Sequence, residues 1–182
     1  MSQLQQVLNV VLLLTLPMFG LMVLRGPQDG NGDETPGFWG AKTASVNWCE
    51  RDYVISFYVA EFANSMTSLC IVMSGIYGIY AHAKAVEFRY IAAFISFIVV
   101  GLGSFAFHAT LTRSMQLLDE LPMVWINSIF IYICRTIEDE PGHVRLSEMI
   151  VLICLTLVAT LAIIRLDTEN QTLAGMRSLR FF

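Results

Sequence analysis

Three polar side chains interrupt stretches that are otherwise apolar, and their types are those of proton transfer and metal ligation. Ser104 and His108 stand four residues apart, so on a helix both project from one side. They follow Gly101-Leu102-Gly103, a small-residue stretch that lets a neighbouring helix come close. Asp119 lies about one turn inside the next apolar run, on the same side of the membrane. A carboxylate inside a span is costly and turns into the bundle toward a partner. A histidine one short loop away is the obvious one. Such groups also serve as plain interhelical hydrogen bonders, and Asp119 as a helix cap; spacing alone leaves both readings open.

Upstream, Asn47, Glu50, Asp52 and Glu61 bring three carboxylates and an amide toward the start of an apolar run. With backbone carbonyls these form a hard-oxygen set suited to Ca²⁺. The spacing is not that of an EF-hand, and the glycine that motif needs is absent. A solvated acidic face is the alternative. Glu61 stands apart, because an unpaired charge at the edge of a span is expensive.

The elements that must hold these groups are membrane helices. Of 182 residues, 55% are hydrophobic and 14% charged, against roughly 25% charged in a typical soluble domain. Mean hydropathy is +0.61. A net charge of −4 offers no basic face for nucleic acid. Four runs are long enough to cross a bilayer: Phe62–Ala81, Tyr90–Ala109, Met115–Cys134 and Met149–Ile164, the last extended by Leu146 and Leu166. The third holds Asp119 and Glu120. Short connections make neighbours antiparallel, so Glu61, His108 and Asp119 share one face while His82 and His143 lie on the other. A further apolar run, Val7–Leu24, reads equally as a signal peptide or an uncleaved helix. A Gly, Pro and Asp-rich linker follows it, so residues 1–36 are separated from a membrane domain over 37–166 and a polar tail over 167–182. Cys49, Cys70, Cys134 and Cys154 form no CxxC, so neither a disulfide framework nor a thiolate zinc site is supported.

In the stretches Gly37-Phe38-Trp39-Gly40, NWCERDY, AEFAN, GLGSFAFHATL and MQLLDELPM, the chain resembles the alkaline ceramidases. These are seven-helix intramembrane amidases of a superfamily that includes adiponectin-receptor-like proteins. The resemblance covers roughly residues 37 to 165, in the family's order. It implies an all-α, multi-pass transmembrane bundle with four family helices and a preceding apolar segment. The reaction implied is hydrolysis of the ceramide N-acyl bond in an endoplasmic reticulum or Golgi membrane. By the resemblance His108 is one of three histidines on a catalytic Zn²⁺, with Ser104 and Asp119 as catalytic residues beside it. A Ca²⁺ site maps onto Asn47, the Trp48 carbonyl, Glu50, Asp52 and Glu61. Here Asn47 and Asp52 exchange the family's usual Asp and Asn, leaving the charge of the set unchanged.

The family's other two zinc histidines come from a His-x-x-x-His in a late helix, and this chain has no such pair. The resemblance therefore implies a C-terminally truncated member that lacks the last helices. Two functions follow: a zinc-dependent ceramide amidohydrolase, calcium-modulated and complete only in a longer form, or a non-catalytic membrane protein that binds lipid or a partner chain. A receptor-like relative is a third and weaker option, disfavoured by the NWCE and DELPM stretches.

Overall fold

The computed structural model of the protein describes residues 37–48 and 50–178, with side chains as far as residue 168. The Val7–Leu24 run, most of the linker and Cys49 lie outside the described residues. Among these there are four helices and two isolated bridge pairs, with no extended strand. The helices are α1 (Phe62–His82), α2 (Phe88–Thr110), α3 (Arg113–Arg135) and α4 (Leu146–Ser178). Each is long and apolar enough to cross a membrane, α4 over Leu146–Thr168. At 1.5 Å per residue, 21 to 23 residues span about 32 to 35 Å, the thickness of a hydrocarbon core. The protein is thus an all-helical, multi-pass membrane protein.

The expected spans are met within a residue or two for the first three helices. Asp119, Glu120 and Pro122 all sit inside α3 without ending it. The last helix continues to Ser178, through part of the segment read as a polar tail.

The chain divides into two compact units, Met1–Ile126 and Asn127–Phe182. In the first, α1 and α2 pack closely through small residues. A Cβ on Gly101 would stand 2.8 Å from the Val72 amide nitrogen and 2.9 Å from the Ser68 carbonyl. Only glycine admits that approach, which substitutes for the hydrophobic drive that lipid does not supply. Helix α2 ends at Leu111, a left-handed residue with φ 50°. That backbone is unfavourable for leucine, and three contacts hold it. Its side chain is buried against Ala60 and Phe107, its N–H donates to the Phe107 carbonyl, and its carbonyl accepts the Thr43 and Ala44 amides. Tyr53, Ala44 and Met115 pack around this cluster, so the loop before α1 is clamped to the end of α2.

In the second unit, the α3–α4 turn is fixed by ions. Arg145 forms a bidentate pair with Asp139, and Glu148 joins Arg145 to Arg135. Ser128 and Thr156 hydrogen-bond at 2.5 Å, linking the end of α3 to α4. The most apolar 18-residue stretch of α4 has no buried residue, and Asp167 is buried near the end of the span. A helix apolar all round is stable only in lipid or beneath further helices.

Candidate functional site

The site is built where α1 begins, α2 ends and α3 begins. Two backbone bonds set the register: Ala60 N–H to the Ala109 carbonyl and Glu61 N–H to the His108 carbonyl, each 2.9 Å. They bring Glu61 and His108 together although 47 residues separate them. Glu61 is fully buried. Its Oε1 accepts the Trp48 amide at 2.9 Å. Its Oε2 accepts Asn64 Nδ2 at 3.0 Å and faces His108 Nδ1 at 2.5 Å. Burial pushes the Glu61 carboxyl up, but the hydrogen bonds from His108, Asn64 and the Trp48 amide outweigh it and hold it below its ordinary value. An ionised carboxylate only accepts, so Nδ1 carries the proton of this bond and Nε2 is the ring nitrogen left free of Glu61. A carboxylate fixing a histidine tautomer in this way is how a ligand or base imidazole is oriented.

Asp119 arrives from α3. A Cβ on Gly103 would lie 2.2 Å from the Leu118 carbonyl, so α2 and α3 touch backbone to backbone beside it. Ser104 stands beside the Asp119 carboxylate, and Ser68 on α1 donates to Ser104 at 3.1 Å. Asp119 is buried, and its Oδ1 has no hydrogen-bond partner among the described residues. Ser104, His108 and Asp119 therefore gather at one end of the bundle. The partners differ from the expected ones: His108 pairs with Glu61, and Asp119 stands beside Ser104.

The acidic loop is arranged as a brace. Glu50 accepts the Ala63 and Asn64 amides at 2.7 and 3.0 Å, capping the start of α1 from a loop eleven residues ahead of the N-cap. Two carboxylates, Glu50 and Glu61, thus stand at the positive end of α1. Asp52 Oδ2 takes Lys42 at 2.5 Å and the Asn47 amide at 3.2 Å, while Oδ1 is buried without a partner. Among the described residues, no three His, Cys, Asp or Glu side chains stand together closely enough to hold a metal ion. His82 closes the opposite end of α1, stacked on Phe94, and His143 lies in the α3–α4 turn.

Three supporting residues escaped the sequence reading. Asn64 and Ser68 extend a polar stripe from Glu61 at helical spacing, a signal visible in hindsight on an apolar span. Gln116 is buried; it accepts the Ser45 amide at 2.9 Å and donates to Glu120 at 2.7 Å, tying the loop to α3.

Membrane-length helices with a buried carboxylate, imidazole and hydroxyl cluster at one end define a multi-pass membrane protein with a polar site among its spans. Comparison narrows this. The Ceramidase family model matches residues 40–176, and the chain belongs to that family. It is 46% identical over 97 residues to alkaline ceramidase 3 of Mus musculus, covering 53% of this chain and 36% of that one. It is 43% identical over 91 residues to alkaline ceramidase YPC1 of Saccharomyces cerevisiae, covering 50% and 29%. Against alkaline ceramidase 1 of Homo sapiens it is 33% identical over 97 residues, covering 50% and 36%. The matched stretches span about a third of each of these relatives.

Proposed function

We propose that this chain carries part of a ceramide amidohydrolase site, acting on the N-acyl bond of ceramide to give a sphingoid base and a fatty acid. The observation that carries the reading is the buried Glu61–His108 pair beside Ser104–Asp119 in a chain of the Ceramidase family. Water adds its oxygen to the amide carbon, the C–N bond breaks, and the two protons of water pass through the site to the amine and the solvent. Asp119 Oδ1 is the proton acceptor, since it is buried on α3 beside Ser104 and takes no hydrogen bond from the described residues. Ser104 stands beside that carboxylate and offers it a hydroxyl donor. A site inside the bundle suits a substrate whose chains stay in lipid. The proposed address is an endoplasmic reticulum or Golgi membrane.

Zinc fits here only in part. His108, its Nδ1 held by Glu61, offers one oriented imidazole nitrogen. A catalytic zinc takes three protein ligands, and among the described residues no three His, Cys, Asp or Glu side chains stand together. The described residues therefore make one ligand and its carboxylate support, not a centre. Any zinc bound at His108 needs ligands from outside the described residues.

Calcium is proposed as a brace on Asn47, the Trp48 carbonyl, Glu50, Asp52 and Glu61. The donors are hard oxygens and Asp52 Oδ1 is unpartnered, although Glu50 and Glu61 are engaged by amides. Adding Ca²⁺ is expected to raise the thermal midpoint of the purified chain by several degrees over Mg²⁺, an effect lost in Asp52→Ala. Equal midpoints with and without Ca²⁺ would remove the brace.

The second reading, a non-catalytic membrane protein that binds lipid or a partner chain, is favoured by the single imidazole. Fatty-acid release from long-chain ceramide by membranes carrying the chain decides between them. Under the first reading, His108→Ala lowers release by about 100-fold or more and a zinc chelator abolishes it. Release no higher than that of the variant would establish the second.

A further inference from the structure

Two tight turns on the face of the site expose a patch of aromatic side chains that the catalytic reading does not use. The turns are 37–40 and 56–59, each closed by a bridge between its ends. They are laced together: Phe38 N–H donates to the Phe57 carbonyl at 3.0 Å, and Trp39 Nε1 donates to the Tyr58 carbonyl at 2.8 Å. Phe38 packs against Trp39 and Tyr58 with ring centroids 5.0 and 5.1 Å apart. Yet the four rings Phe38, Trp39, Phe57 and Tyr58 are each about half exposed, between 48% and 59%. Residues 53–60 hold no charge, and neither do residues 37–40. A rigid, uncharged aromatic patch of this kind is foreign to a water-facing loop.

We infer that this patch is a bilayer anchor, seated in the interfacial layer of the membrane on the face where the site lies. Its height follows from the chain. Tyr58 precedes the first residue of α1 by four positions. Tyr53 N–H bonds the Ala60 carbonyl and Ala60 N–H bonds the Ala109 carbonyl, so the turn is fastened where two membrane-length helices end. That is the depth at which Trp and Tyr concentrate, with apolar rings inward and polar edges near headgroups. The Trp39 indole N–H is satisfied by the Tyr58 carbonyl, so immersion leaves no bare donor from that ring. Between the two turns runs the loop that delivers Trp48 to Glu61 and Glu50 to α1, and the anchor holds that loop against the bilayer surface.

The inference does not rest on ceramide hydrolysis and is tested without it. The whole chain carrying Trp48→Phe and Trp125→Phe, which leaves Trp39 alone, is reconstituted into phosphatidylcholine vesicles. Lipids brominated near the headgroup end of the acyl chain are expected to lower Trp39 emission about twofold, more than lipids brominated near the chain end, while aqueous acrylamide has little effect. Strong acrylamide quenching with no bromolipid effect would place the patch in water. Quenching by neither would place it under protein, and either result overturns the anchor. Should the double variant fail to fold, the difference in quenching between the wild-type chain and Trp39→Phe reads the same quantity.

Discussion

Replacing Glu61 by alanine is expected to cost about 3–5 kcal/mol of stability, the largest effect of any single substitution in the site. The carboxylate is fully buried and accepts from three donors on three different segments: the Trp48 amide, the Asn64 side chain and His108 Nδ1. Alanine removes every acceptor at once and leaves those donors facing one another across a cavity that water reaches poorly. Each orphaned donor costs about 1–3 kcal/mol. Glu61→Gln keeps the volume and one acceptor oxygen, so its cost is expected to be less than half as large. The two variants therefore separate the charge from the shape. Thermal unfolding of the detergent-solubilised chain reads both, with an expected drop of roughly 10 °C for alanine. An alanine midpoint within 2 °C of wild type would mean that the Glu61 network is not what joins the loop, α1 and α2.

That network shows where the sequence was readable and where it was not. Membrane-length helices are written in composition, because a span must be apolar over about 20 residues and a charge stands out. Hence Asp119 and Glu120 are conspicuous, and the shared end of α2 and α3 follows from the short connection Thr110–Ser114 between the apolar runs. The partner choices were hidden. Asp119 and His108 are neighbours in sequence and each was given to the other, while the structure pairs His108 with a residue 47 positions away. What decides this is a loop docked by two backbone hydrogen bonds, Ala60 to Ala109 and Glu61 to His108, which leave no periodic trace. The capping of α1 by Glu50 is hidden for the same reason. Helix caps are recognisable at the N-cap itself, and this one comes from eleven residues upstream. Leu111 in the left-handed region carries no signal either, since glycine is the residue that announces it.

Gly103→Ala is expected to act on the site from the apolar side. Its Cβ would lie 2.2 Å from the Leu118 carbonyl oxygen and 3.4 Å from Asp119 Cα. Both are backbone atoms of α3, so no flexible side chain can swing away. The helices must separate by about 1 Å to reach ordinary van der Waals contact, and overpacking of this kind costs about 1–3 kcal/mol. The separation falls on Ser104, the next residue, and carries the Asp119 carboxylate about 1 Å further from its hydroxyl. Gly103→Ala is therefore expected to lower the thermal midpoint by roughly 5 °C, and in any chain that hydrolyses ceramide to lower turnover about tenfold. Leu102→Ala is the control: its side chain is 52% exposed, and its loss leaves the α2–α3 contact intact. If the two variants unfold at the same temperature, the close approach of α2 and α3 is not what positions Asp119. If Gly103→Ala alone is destabilised, the carboxylate owes its place beside Ser104 to the absence of a single methyl group.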